Sequence, residues 1–252
     1  MTAVCLPPNA AAGWRWADGL TLGLAALTTL LTLGRQLPWQ NVVAAALMVA
    51  LVSSGLYLAG DFIGIPLGPL TCSDSLGPKV FGRLPWAFLV VWMVSVFNAY
   101  GVAQLLLRSF RAGQYYGWGL LGLTGLLVVI FGLALEPFAV PVKGYWSWPT
   151  HGSALNWYSV PGASLAGRFV ATVAILFFTT PWLIDKRGVE RPADYHSLAL
   201  WLLLSLLFAV GSAMQHLWWA VAVNLPLSLL VGIPALRGRH PRTACDEKRF
   251  VA

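Results

Sequence analysis

The chain has 252 residues, of which 58% are hydrophobic and only 10% charged, and it carries a formal net charge of +7. That balance, with a mean hydropathy of +0.72, excludes a water-soluble globular domain and leaves room for about seven membrane spans of roughly 20 residues with short loops. Five of the sixteen Lys and Arg residues fall in a basic tail, residues 237–252; this clustering reports topology and contact with anionic headgroups, not nucleic-acid binding.

The start, MTAVCLPPNAAAGWRW, has no basic residue ahead of an apolar run, so the first span is expected to be its own insertion signal and no cleaved leader is expected. Apolar runs then predict spans over 17–33, 39–58, 84–107, 117–135, 165–184, 197–215 and 217–236. The break at 211–216 is weak, but one uninterrupted helix there would far exceed a bilayer crossing, so a tight hairpin is expected. The expected fold is all-α: a polytopic helical bundle forming a single integral membrane domain over 1–252, without repeats or a second domain.

One side of these spans carries Arg15, Lys79, Arg83 and Lys143, and the other carries Arg35, Arg108, Arg111, Lys186, Arg187, Arg191 and the tail. Four basic residues against eleven place the tail in the cytoplasm and the N-terminus outside. Two irregular polar stretches, 60–86 (GDFIGIPLGPLTCSDSLGPKVFGRLPW) and 135–148 (LEPFAVPVKGYWSW), then share the outer face, where they can meet.

The first stretch is too rich in Gly and Pro for a regular helix and is expected to fold as a re-entrant cap. It holds Asp61, where the second span ends, and Asp74, which either closes an Asx-turn on following amides or serves function. The second stretch holds Glu136 at the end of the fourth span, followed by Lys143 and the aromatic cluster Tyr145, Trp146 and Trp148. A carboxyl group facing aromatic rings can deliver a proton to an alkene while the ring faces stabilise the carbocation. The structural alternative for Glu136 is a salt bridge with Arg168 or Lys143, and Trp14, Trp16, Trp39 and Trp86 fit an interfacial aromatic belt.

Elsewhere the sequence points to packing. Gly117, Gly119, Gly122, Gly125 and Gly132 allow close helix approach in the fourth span, and Pro181, Pro226 and Pro234 are expected to kink or end their helices. Asn98, Gln104 and Asn224 read as interhelical hydrogen-bonding groups, and Arg168 is expected to snorkel to the outer interface. Cys5, Cys72 and Cys245 form no CxxC pair and the four histidines show no HxxxH or HExxH spacing, so no metal site is expected. No Walker, GxGxxG or GxSxG motif supports nucleotide-dependent or hydrolase chemistry.

Gly64, Pro66 to Gly68, Asp74, Leu76 to Pro78, Phe81 to Gly82 and Pro85 to Trp86, followed by Glu136 to Pro137, Gly144 to Trp148, Tyr158 to Pro161 and Gly167, occur in an order that resembles the bacterial and archaeal carotenoid biosynthesis membrane protein family. Its known members include carotenoid hydratases. The resemblance implies a plasma-membrane protein acting on a carotenoid or other long isoprenoid, hydrating a terminal double bond of an acyclic end group without a cofactor. Asp61, Asp74 and Glu136 would take the acid and water-activating roles, and Tyr145, Trp146, Trp148, Trp86 and Tyr158 would line the substrate site. The chain departs from the family pattern at residues 69–72, at Ser164, where Asn is usual, and at Arg168, where an aromatic residue is usual. A cyclase-like enzyme acting on lycopene, starting from the same protonation, and a non-catalytic carotenoid-binding protein are the alternatives; the missing PxE pattern at Pro161 counts against the first.

Overall fold

All seven predicted apolar runs are helices in the computed structural model, which describes residues 15–64, 67–80, 82–111, 113–148, 156–183 and 193–237. They are α1 (Arg15–Gln36), α2 (Trp39–Ile63), α3 (Trp86–Leu106), α4 (Tyr116–Pro137), α5 (Gly162–Leu183), α6 (His196–Met214) and α7 (Trp218–Arg237). Each is long and apolar enough to cross a membrane, and the chain is an integral membrane protein built as a helical bundle. Trp14, Cys5, Pro66, Phe81, His151, Lys186, Arg187, Arg191, His240, Cys245 and the tail beyond 237 lie outside the described residues.

The chain reverses between α6 and α7 in the tight hairpin expected there. His216 takes a left-handed backbone conformation, φ 59°, and the Leu217 amide donates back to the Ser212 carbonyl at 2.9 Å. At the far end of α2, Gly64 (φ 75°) supplies the left-handed cap and donates its N–H to Gly60, a geometry that glycine adopts without Cβ strain.

α3 and α4 form the centre. α3 packs against α1, α2, α4, α6 and α7, and α4 against α3, α5, α6 and α7. Lipid is as apolar as a leucine side chain, so these contacts depend on close fit and internal hydrogen bonds. Both devices are present. A Cβ on Gly125 would stand 2.8 Å from the Phe169 ring, and one on Gly132 would stand 3.2 Å from Arg168 Cδ, whereas Gly117 and Gly122 face open space. The close approach predicted for the fourth span is therefore confined to two of its five glycines and serves α5. Asn98 donates to Thr29 Oγ1 at 2.8 Å and joins α3 to α1, and Asn224 donates to the Ser205 carbonyl at 2.7 Å and joins α7 to α6. The buried hydroxyls of Thr124, Thr172 and Thr179 return their protons to carbonyls four residues earlier, which removes the cost of placing them in hydrocarbon.

The connections between α2 and α3 and between α4 and α5 lie at one end of the bundle. They form three two-residue antiparallel pairs: β1 (Thr71–Cys72) with β4 (Trp146–Ser147), β2 (Lys79–Val80) with β3 (Leu84–Pro85), and β5 (Asn156–Trp157) with β6 (Val160–Pro161).

Candidate functional site

The two polar stretches meet as one ladder. Thr71 is opposite Ser147 and Cys72 opposite Trp146. The Ser73 amide extends the pairing to the Tyr145 carbonyl at 2.8 Å, and the Thr71 and Ser147 hydroxyls lie 2.7 Å apart. From below, Tyr57 of α2 donates its hydroxyl to the Leu70 carbonyl at 3.0 Å. The predicted cap is thus a set of short strand pairs with one 3-10 turn, Asp74–Leu76. Ser73, not Asp74, closes that turn by accepting from the Ser75 amide at 3.2 Å. Asp74 points to solvent and pairs with Lys79 at 2.6 Å; the hydrogen bond and charge of Lys79 hold its carboxyl below the ordinary value.

Two prolines shape the end of α4. Pro137 has no N–H for the Leu133 carbonyl, and the indole N–H of Trp157 fills the gap at 3.0 Å. Past Pro137 the coil widens into a π-turn, Phe138–Val142, containing Pro141. The Lys143 amide there reaches the Phe138 carbonyl and the Tyr145 amide reaches that of Ala139. Single π-turns of this kind are frequent at functional sites. This one turns the chain so that Trp146 lies back over Glu136.

Glu136 has no exposed surface. Its Oε2 accepts the Trp146 indole N–H at 2.9 Å, and its Oε1 pairs with Arg168 Nη2. Arg168, 9% exposed, lies with its guanidinium 6.0 Å from the Trp92 ring centroid, and Trp146 meets Phe88 edge to face at 6.1 Å. Snorkelling is therefore the wrong reading of Arg168: a buried carboxylate needs a buried partner, and the guanidinium stays inside to supply it. Lys143, the other expected partner, instead pairs with Asp18 at 2.8 Å. Beside them the Tyr145 hydroxyl is pushed well above its ordinary pKa, first by burial and then by the charge and hydrogen bond of Asp18.

Asp18 had no place among the sequence candidates. Its signal was available, because it is an acidic residue one turn inside the first span, on the side of the membrane that carries Lys143. One carboxylate oxygen, Oδ1, is buried without a hydrogen-bond partner.

The remaining candidates divide. Trp148 is buried and packs on Gly68 (φ 79°), where a Cβ would stand 3.3 Å from the indole. Trp86, 40% exposed, stays at the rim of the cap. Tyr158 sits with Ser159 at the tip of the β5–β6 hairpin, both at positive φ, and its hydroxyl accepts the Ala220 amide of α7 at 3.2 Å. Asp61 pairs with Arg83 at 3.0 Å, partly exposed. Glu136 thus touches Trp146, whose ring lies 6.2 Å from that of Tyr145, Trp148 packs on the first polar stretch, and Asp61 and Asp74 each have their own cation in the cap. An open apolar groove of about 380 Å³ lies on the exposed face of α5, lined by Phe169, Val170, Val173, Ala174, Phe177 and Phe178. Among the described residues no three His, Cys, Asp or Glu side chains are grouped to hold a metal ion.

Fold and site together define a polytopic helical membrane protein with a charge-paired carboxylate sealed beneath an aromatic cap. The chain belongs to the carotenoid biosynthesis protein family, whose profile matches residues 18–233. It is also similar to the bisanhydrobacterioruberin hydratase of Haloarcula japonica, with 31% identity over 148 residues, 58% of this chain and 47% of the relative. The match thus spans about half the length of that curated relative. No solved structure matches the chain.

Proposed function

We propose that the protein hydrates a terminal carbon-carbon double bond of an acyclic carotenoid, with Glu136 as the reacting carboxyl group. The supporting observation is the environment of Glu136: fully buried, between the Arg168 guanidinium and the Trp146 indole, which in turn meet the rings of Trp92 and Phe88. In the proposed cycle Glu136 first takes up a proton, against the stabilisation that Arg168 and Trp146 give its carboxylate, and then gives that proton to the less substituted alkene carbon. The π electrons form the new C–H bond, and the adjacent carbon becomes a tertiary cation facing the aromatic rings. Arg168 and Trp146 stabilise the carboxylate left behind. As water forms the C–O bond, Glu136 takes back one proton, so the net change is addition of one water molecule.

Asp61 and Asp74, paired with Arg83 and Lys79, then hold the cap in place and do not touch the alkene. The charge asymmetry of the loops supports a cap on the outer face of the membrane and a C-terminus in the cytoplasm. The hydratase identity of the 31% relative supports the reaction class.

Expression in a host that accumulates lycopene tests the reading. The expected result is pigment heavier by one or two water molecules, abolished by Glu136→Gln and reduced only a few-fold by Asp61→Asn or Asp74→Asn. No mass gain from a folded protein would overturn it. A second reading, carotenoid binding without conversion, is favoured by the solvent-facing placement of Asp61 and Asp74. It predicts pigment that copurifies unchanged and is indifferent to all three substitutions.

A further inference from the structure

Ser164 and Arg168 stand one turn apart on α5, so their side chains share a face. Ser164 is 4% exposed and Arg168 9%. Ser164 Oγ and Arg168 Nε are both shielded from solvent, and neither has a hydrogen-bond partner. Each such group costs its desolvation with no return; seven occur among the described residues, and Arg168 is set apart by its pairing with Glu136. The rest of the guanidinium is engaged: Nη2 is on Glu136, and the stem runs past Gly132, where a Cβ would approach to 3.2 Å. One orphaned atom, Arg168 Nε, thus belongs to the guanidinium that pairs with the carboxylate the proposed reaction uses; the other, Ser164 Oγ, lies one turn before it on the same helix face, the direction in which a helical side chain leans.

We propose that Ser164 Oγ and Arg168 Nε hold the water molecule that attacks the carbocation, beside Glu136. This inference rests on the hydratase reading. The donor and acceptor types match what a nucleophilic water requires. Arg168 Nε–H can only donate, so it occupies one lone pair of the water; Ser164 Oγ and the Glu136 carboxylate accept its two protons. Three partners are the usual number for a buried water, and the fourth tetrahedral position, a lone pair, is left for carbon. As the C–O bond forms, the proton facing Glu136 passes to the carboxylate and the oxygen keeps the other. Ser164 thereby decides the fate of the cation: with water held in place the product is the alcohol, and without it the cation loses a proton and returns to an alkene.

The test follows both fates in membranes supplied with an open-ended carotenoid in D₂O. Alcohol is measured by mass, and protonation is measured as deuterium in the recovered alkene. The wild type is expected to make alcohol. Ser164→Ala is expected to make about tenfold less, the size of one hydrogen bond to the reacting water, while still placing deuterium in the alkene; Ser164→Thr, which keeps the hydroxyl, is expected to recover alcohol formation. Ser164→Ala that hydrates at the wild-type rate overturns the assignment. So does parallel loss of hydration and exchange in both variants, which marks a structural role. A wild type that neither hydrates nor exchanges overturns the hydratase reading itself, a separate outcome.

Discussion

Trp157 donates its indole N–H to the carbonyl of Leu133, the acceptor that Pro137 leaves without a partner inside α4. A break in the helix is thus mended by a side chain from the hairpin leading into α5. Trp157→Phe is expected to lower stability by about 1–3 kcal/mol, the cost of an unmet buried carbonyl. Adding Pro137→Ala, which restores an intrahelical N–H, should recover part of the loss. Thermal unfolding of the detergent-solubilised protein compares the two, and an unchanged transition in Trp157→Phe would refute the account.

The Glu136–Arg168 pair makes opposite predictions for stability and activity. Removing one partner strands a buried charge and is expected to cost about 3–5 kcal/mol, whereas replacing both with apolar side chains is often neutral. Arg168→Met should therefore be much less stable than Glu136→Leu combined with Arg168→Met. The double variant should fold and fail to hydrate. A double variant that retains activity removes Glu136 from the chemistry.

Small residues between α4 and α5 can be ranked. Gly125→Ala puts a methyl group 2.8 Å from the Phe169 ring, and Gly132→Ala puts one 3.2 Å from Arg168 Cδ. The first is overpacking, which costs roughly 1–3 kcal/mol; the second needs Arg168 Cδ to give only slightly and should cost less. Gly122→Ala meets nothing within 4 Å and should be neutral or slightly stabilising. Equal unfolding temperatures for all three variants would contradict the packing.

Cys72, opposite Trp146 in the cap, has its thiol pushed above the ordinary value of 9.0, first by burial, with Tyr57 and Lys79 opposing. The thiolate is the reactive form. Raising the pKa leaves less of it at pH 8, so alkylation there should be slower than for an exposed cysteine. The rate should climb with pH through a midpoint above 9.0. Site-resolved mass spectrometry in a Cys5→Ser, Cys245→Ser background measures it, and a plateau reached below pH 9 would argue against burial.

The spans were legible because a bilayer crossing imposes length and hydropathy on a segment regardless of tertiary detail, which is why even the weak break at His216 could be placed. Counting spans alone put the two polar stretches on one side, where they could meet; that they do meet, as a strand pair, comes from the fold. So do the pairings inside the cap. Asp74 and Ser73 are neighbours with similar turn chemistry, and only the backbone path decides that Ser73 closes the turn while Lys79 takes Asp74. Arg168 was misplaced because a snorkelling rule considers one helix at a time, whereas its position depends on Glu136, thirty-two residues earlier on another helix. Asp18 was passed over for the same reason: its importance lies in Lys143 and Tyr145, which approach it only in the folded bundle.

The charges of Glu136 and Arg168 belong to helices synthesised one after the other. Until α5 emerges, α4 has to enter the bilayer with a carboxyl group and no counter-ion, and α5 alone would carry an arginine whose insertion at mid-bilayer costs about 2.5–3.5 kcal/mol, less near the interface. Each helix thus relieves the other's penalty, which favours their leaving the insertion machinery together. A nascent chain stopped between them would carry Glu136 without its counter-ion, and the order of synthesis becomes part of how this buried pair is assembled.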